Sequence, residues 1–397
     1  MPTTVILGAG IIGLSTAYYL STSSSPTDHT IHIVDSSPAL FASASGKAAG
    51  FLAADWFAAS SASLGRLSFD LHKQLAEEHG GREKWGYSPS VSYSLESTKG
   101  VEKGEDWLSA GASRASVVSQ GREGTSGPVW LTHTGKLRQI SQGDTTAQVD
   151  PLRLCEFLLA QCKSRGVQLH HPANATKILT TDSALTGIQI THSPTQETLD
   201  LACDSLVLAC GAWTTLAYRT LFPSSSRAPH ISSLAGHSVV LKSAKWSGTP
   251  EEEANGCHAV FTTHPSGFSP EIFSRVGGDI WLGGLNDSSL SLPELATGVK
   301  IDRDSIKTLV DVGKWLCGDE VEVLREGLCH RPVTKTGVPF VGKIDEQNLG
   351  EGIKGRVFVA SGHGPWGISL SLGTGKVVSE LVVGKETSAD ISLLGRL

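Results

Sequence analysis

Gly8-Ala9-Gly10-Ile11-Ile12-Gly13 constrains this chain more than any other feature of its sequence. Alone, the G-x-G-x-x-G spacing is weak evidence. Here residues 4–7 (Thr-Val-Ile-Leu) are β-branched and apolar, which predicts a short buried strand. Residues 11–20 carry apolar side chains at helical spacing. A strand that turns on glycines straight into a helix is the context in which this pattern binds a dinucleotide. Gly8 permits a sharp turn, Gly10 lets the backbone approach a pyrophosphate, and Gly13 lets the helix pack closely on the strand. Ile11 and Ile12 open the helix, whose first N–H groups attract an anion. Residues 31–34 predict a second strand, closed by Asp35 with Ser36 next. A carboxylate there accepts both hydroxyls of a ribose, so a bare 2′-hydroxyl is preferred to a 2′-phosphate. This β-α-β unit does not by itself separate NAD from FAD.

Composition sets the class. Of 397 residues, 39% are hydrophobic and 18% charged, which is ample for a core and argues against disorder. At roughly 150 residues per domain, the length predicts two or three units, or one large composite one. A formal net charge of −6 argues against a protein that grips nucleic acid. No apolar run reaches the length of a membrane span, and no basic leader precedes the first strand. Seven cysteines, an odd number without a C-x-x-C pair, argue against a disulfide framework or a structural zinc and for a reducing compartment. The cytoplasm is the expected location. The closing Gly395-Arg396-Leu397 loosely resembles a peroxisomal Ser-Lys-Leu address, which keeps that compartment open. The histidines lack metal-ligand spacing, and no metal is expected.

Helices are predicted at 64–79, 150–166, 302–316 and 373–383. In the second, Asp150 can cap and Pro151 suits the first turn. Strands are predicted at 91–95, 168–170, 186–191, 206–209 and 356–360, with a strand-rich stretch over 237–284. Residues 87–127 are Ser/Gly-rich and read mostly as surface loop, either a substrate lid or a partner-binding surface. Nucleotide-type elements at both ends and in the middle, with strand-rich insertions between, imply a discontinuous two-domain architecture.

Four further segments are distinctive. Ser45-Gly46-Lys47-Ala48-Ala49-Gly50-Phe51-Leu52 follows the second strand. Residues 206–213 run as a strand into Gly211-Ala212-Trp213. Residues 327–342 read as a Pro/Gly-patterned loop containing Cys329-His330-Arg331-Pro332. Gly362-His363-Gly364-Pro365-Trp366-Gly367-Ile368 precedes the last helix. Together with the glycine turn they resemble the D-amino-acid oxidase family of flavoproteins, which includes glycine oxidase and sarcosine oxidase, and within it fungal FAD-dependent oxidoreductases. The resemblance runs from Val5 to about Val383 and is weak from Tyr87 to Gly143.

The resemblance implies an α/β fold: a Rossmann-like FAD-binding domain of the glutathione-reductase type with an inserted antiparallel-sheet α+β substrate domain. We expect the cofactor domain at 1–85, 144–230 and 325–397, and the substrate domain at 86–143 and 231–324. Gly8, Gly10 and Gly13 look like the FAD pyrophosphate turn, and Asp35 like the adenosine-ribose acid. Ser45, Gly46, Lys47, Ala49, Gly50 and Leu52 look like the stretch passing the pyrophosphate and the flavin ring. Ala175 resembles the position that pairs with adenine through its backbone. Gly211 and Trp213 look like the turn covering the dinucleotide. Gly362, His363, Gly364, Trp366, Gly367 and Ile368 look like the loop at the flavin pyrimidine edge. Arg331 resembles the arginine that clamps a substrate carboxylate, and the physics agrees, because a guanidinium fork matches a carboxylate bidentately and stays charged. The alternative is an arginine tying two loops together. His363 is a second catalytic candidate, as a hydrogen-bonder or a charge at the flavin edge. Trp56, Arg275, Trp281 and Trp366 are candidate wall residues.

The implied activity is oxidation of the C–N bond of an amino acid or secondary amine, by hydride transfer to flavin, imine release and reoxidation by O2. The expected partners are that small-molecule substrate and O2 or another acceptor, with no nucleic acid and no membrane, in a monomer or small homo-oligomer. Three departures bear on this. Thr336 stands where the family often has Asp. Cys329 falls where sarcosine oxidase-like members attach flavin through a thioether, although non-covalent FAD beside a packed thiol is the expected form. Trp281 falls where those members carry a lysine that assists oxygen reduction, which favours an alternative reading as a dehydrogenase or oxidase of a non-carboxylate substrate; a flavin-retaining sorting or scaffold protein is a third.

Overall fold

The structure, a computed structural model, describes residues 1–23, 28–96, 122–123, 127–132, 135–141, 143–254, 256–265, 267–350 and 352–395. The loop expected over 87–127 and the terminal Arg396 and Leu397 therefore lie largely outside the described residues.

The first strand, Thr3–Leu7, is buried throughout and sits inside a six-stranded sheet. The order across that sheet is Phe340–Lys343, Arg356–Ser361, Ser205–Leu208, Thr3–Leu7, Thr30–Val34, Gln168–His170. All neighbours run parallel except Phe340–Lys343, which is antiparallel to Arg356–Ser361. Strand residues alternate between the faces, so the apolar runs feed two cores. Ile6, Ile33, Val207 and Phe358 meet the helices Ile11–Ser23, Ala59–His79, Pro151–Ser164 and Ser371–Val382. Val5, Leu7, Val34, Leu206 and Leu208 meet a three-stranded antiparallel sheet of Ala173–Thr181, Ala184–His192 and Thr198–Ala202. Asp150 caps its helix, its Oδ1 accepting from the Leu152 and Arg153 N–H groups.

A larger, ten-stranded sheet forms the second unit. Its long central strand Ser232–Ser243 pairs antiparallel with Asp279–Asp287 on one side and Val321–Val333 on the other. One face carries Val239, Leu241, Ile280 and Leu282 against the helix Arg303–Cys317. The opposite face carries Val240, Phe261, Phe273 and Trp281, packed with Phe51 and Trp56.

Two readings need correction. The first half of the segment expected as a loop over 327–342 is strand, because Ser232–Ser243 supplies a partner at every position from Arg325 to Val333. Pro332 is tolerated because this strand is the outermost in its sheet. The strand is also continuous across 325, so the third segment proposed for the cofactor unit begins on the sheet of the other unit. Sequence reasoning further missed the helix Thr214–Leu221 and the full extent of Ala173–Thr181.

Candidate functional site

The carboxyl ends of four parallel strands open onto one cavity of about 610 Å³ between the two units. Leu7 leads into Gly8, Val34 into Asp35, Leu208 into Ala209, Cys210 and Gly211, and Ser361 on toward His363 and Gly364; all of these but Leu208 line it. That is where ligands bind in sheets of this kind, since strands end there and helices begin.

Of the residues singled out from the sequence, Gly8, Gly10, Ile11, Ile12, Asp35, Ser36, Ser45, Lys47, Ala49, Gly50, Ala175, Gly211, Trp213, Cys329, Arg331, His363, Gly364, Gly367 and Ile368 line this cavity. The Asp35 carboxylate is fixed by two backbone donors: Oδ2 accepts from Ala9 N–H at 2.8 Å and Oδ1 from Ser37 N–H at 2.9 Å. Ser45 Oγ accepts from the Ile11 N–H at 2.9 Å, at the start of the glycine-turn helix.

Five of the residues do not reach the cavity lining. Gly13 faces the Gly8 carbonyl, as a packing glycine does, and Gly46 faces that of Phe41. Leu52 is buried in the helical core. Gly362 makes the turn ahead of the loop at φ +85°. Trp366 stacks edge-on against Phe57 at 4.9 Å. Of the other wall candidates, Trp281 lines the cavity whereas Trp56 and Arg275 lie behind it.

His363 borders the cavity, but its Nε2 is hydrogen-bonded to Thr374 Oγ1 at 3.0 Å on the last helix, and burial pushes its pKa down to about 4. The ring is therefore neutral near neutral pH and brings no charge to the loop. Arg331 also lines the cavity. Its Nη1 donates to Asn286 Oδ1 at 2.6 Å, and a Cβ on Gly236 would lie 2.1 Å from that same nitrogen, so the guanidinium lies against bare backbone. Cys329, two residues earlier on the strand, is buried, and burial raises its thiol pKa despite the nearby Arg331 and Lys47 cations. Burial draws the Lys47 ammonium below its ordinary value.

Sequence reasoning missed several lining residues. Gly236 and Ser238 arrive from the central strand, and Glu294, Leu295 and Ala296 from a segment drawn in by Trp213, whose Nε1 donates to the Pro293 carbonyl at 2.7 Å. Asn286 sits in a sequence that offers only a chance glycosylation triplet. None has a local signal, because each acquires its role from strand pairing.

The glycines test whether a dinucleotide fits. A Cβ on Gly8 would lie 2.4 Å from the Ala209 carbonyl oxygen, and one on Gly13 2.0 Å from that of Gly8, so the chain's own packing requires both. A Cβ on Gly10 would meet only Ser45 Oγ at 3.1 Å, and one on Gly211 nothing within 4 Å. Both line the cavity, Gly211 with open space before it and Gly10 against the Ser45 hydroxyl alone, beside a fixed carboxylate and a helix N-terminus, which suits a pyrophosphate flanked by a ribose.

The sequence profile of the FAD dependent oxidoreductase (DAO) family matches residues 3–381. The chain belongs to this family. It is an oxidoreductase whose cofactor is FAD. The oxidoreductase C1F5.03c of Schizosaccharomyces pombe is 28% identical to it over 418 aligned residues, covering 98% of this chain and 96% of the relative. Glycine oxidase from Geobacillus kaustophilus superposes with a TM-score of 0.73 at 22% identity, covering 99% of this chain and 98% of that one. L-proline dehydrogenase from P. horikoshii gives 0.73 at 14% identity, covering 98% and 96%. At these identities the two structures establish the shared fold. Among the described residues no helix is long and apolar enough to cross a membrane, and all seven cysteines are free thiols.

Proposed function

We propose that this family member oxidises the C–N bond of an amino acid or a secondary amine, with Arg331 holding the substrate carboxylate. The observation that carries this reading is the seating of Arg331: a guanidinium on the cavity wall, laid against Gly236 and oriented by Asn286. A fork held in one plane binds a carboxylate with little further ordering. Bound FAD supplies the acceptor for the hydride that leaves the carbon next to nitrogen. The substrate reacts as the free amine, whose lone pair supports the forming imine, so the protein's task is orientation inside a dry wall. Phe51 and Trp281 give that wall its apolar character. The imine is then released and hydrolyses in water.

The glycine turn, Asp35, Ser45 and the 47–50 stretch would hold the FAD. A buried, protonated thiol is a poor nucleophile, which supports a non-covalent flavin beside Cys329. Acid precipitation tests this: yellow colour in the supernatant agrees, and colour in the pellet refutes it. The clamp is tested by steady-state kinetics of Arg331→Ala and Arg331→Lys on a panel of amino acids. Unchanged kcat and KM would sink the assignment.

A second reading keeps the flavin and replaces O2 by another acceptor, or the carboxylate substrate by an amine without one. It rests on Trp281, an indole where sarcosine oxidase-like sequences carry a lysine. Slow reoxidation of the reduced enzyme by O2 in a stopped-flow mixer would favour it.

A further inference from the structure

Three consecutive carbonyls beside the cavity are tied to the large sheet. Trp281 Nε1 donates to the Lys47 carbonyl at 3.1 Å. Arg275 Nη2 donates to the carbonyls of Ala48 at 2.9 Å and Ala49 at 2.8 Å. Gln148 Nε2 adds a second donor to Ala49 at 2.9 Å. Lys47, Ala48, Ala49 and Gly50 all line the cavity, whereas Arg275 does not.

A trans peptide is planar, with its N–H antiparallel to its C=O. When Arg275 draws the Ala48 and Ala49 carbonyls back toward the sheet, the N–H groups of Ala49 and Gly50 are turned the opposite way, toward the cavity. Arg275 is itself fully enclosed, 3% exposed, and held by Asp150 with Nη1–Oδ2 at 3.6 Å. A buried arginine costs free energy unless it is paired and hydrogen-bonded. Here its partners are two carbonyls and the carboxylate that caps the next helix, so moving it would disturb all three. Trp281 is fixed as well, stacked on Phe273 at 5.7 Å with the rings 12° apart.

We propose that Arg275 and Trp281 are positioning residues that fix the 47–50 segment, so that the Ala49 and Gly50 N–H groups stay aimed at the bound flavin. Donors fixed in advance toward a site where negative charge develops stabilise that charge without reorganisation. A reduced flavin carries such charge. The pair thus sets the reduction potential by holding the segment, Arg275 from behind it and Trp281 from the cavity wall, and the large sheet takes part in tuning the cofactor as well as in framing the substrate. The inference rests on the reading that residues 47–50 border the flavin.

The test is reductive titration of the FAD-loaded protein against a reference dye. Trp281→Phe keeps an aromatic ring at the stacked position and removes the donor together with part of the ring volume. Arg275→Lys keeps the charge opposite Asp150 and offers a single head in place of a fork. At the potential that half-reduces the wild type, the reduced-to-oxidised ratio is expected to fall roughly fivefold to tenfold in either variant, the equivalent of about one hydrogen bond. The thermal midpoint of Trp281→Phe should move little. Lys47→Met serves as the control, since it removes a cation from the segment itself. A shift in Lys47→Met with none in the two variants overturns the positioning role alone. No shift in any of the three overturns the placement of the segment against the flavin, and the cofactor-site reading with it.

Discussion

The two ends of the cavity are built by different means. At the glycine turn the work is local: Gly8, Gly10, Gly13 and Asp35 lie within one β-α-β unit, and three glycines close in sequence meet two different needs. Gly8 and Gly13 are forced by neighbouring backbone, and Gly10 by the space before it. At the Arg331 end nothing is local. Arg331, Asn286 and Gly236 come from three strands that pair only in the folded sheet. Gly236 is glycine because a side chain from another strand occupies its place. The glycine-turn end is thus specified by short-range spacing, and the Arg331 end by register. A one-residue slip in register turns every side chain to the other face, so the second end is the more readily altered by packing.

Five substitutions would break or sharpen this contrast. The largest effect is expected for Gly13→Val, whose Cβ has no room beside the Gly8 carbonyl. It should cost roughly 3 kcal/mol or more and yield little folded protein, read from denaturant midpoints and soluble yield. Arg331→Ala should leave the fold and the FAD content intact while kcat/KM for a carboxylate substrate falls on the order of a hundred- to thousandfold, the usual loss on removing one partner of a desolvated charge pair. Gly10→Val should fold but weaken FAD roughly tenfold to a hundredfold, by overpacking that appears only with the ligand bound. Equilibrium dialysis measures it, and equal FAD affinity would refute the placement of the pyrophosphate. Gly236→Ala displaces the guanidinium and should raise KM about tenfold with smaller changes in thermal midpoint and FAD affinity. If KM holds, the seating of Arg331 has been misassigned.

The smallest effect concerns the loop shared by both ends. His72 Nε2 donates to the Ile368 carbonyl at 3.0 Å from the helix Ala59–His79, and burial depresses its pKa to about 4. The unfolded imidazole binds its proton below about 6.5, the folded one only below about 4, so stability declines as the pH falls through that window. His72→Gln should flatten the acid limb by up to about 1 kcal/mol per pH unit, seen in urea midpoints measured at pH 7, 6 and 5. An unchanged limb would mean that other buried groups dominate it.

What the sequence determined by itself follows this same division. The β-branched apolar run of the first strand, the glycine turn, Asp35 and the capped helix after Asp150 announce their structure because spacing within a few residues fixes their geometry. Family resemblance in five segments pointed to FAD, and the sequence profile of the family agrees. The tertiary structure alone decided the rest. A segment patterned with Pro and Gly became an edge strand because Ser232–Ser243 supplied its partners. His363, singled out for its place in a loop, was bound to Thr374 and left neutral. Arg275 and Trp281 were singled out as wall candidates, but only the folded sheet brought their donors to the carbonyls of Lys47, Ala48 and Ala49. The physical reason is one of range. Turns and caps are satisfied by neighbours along the chain, whereas a buried donor takes whichever acceptor the completed fold places within reach.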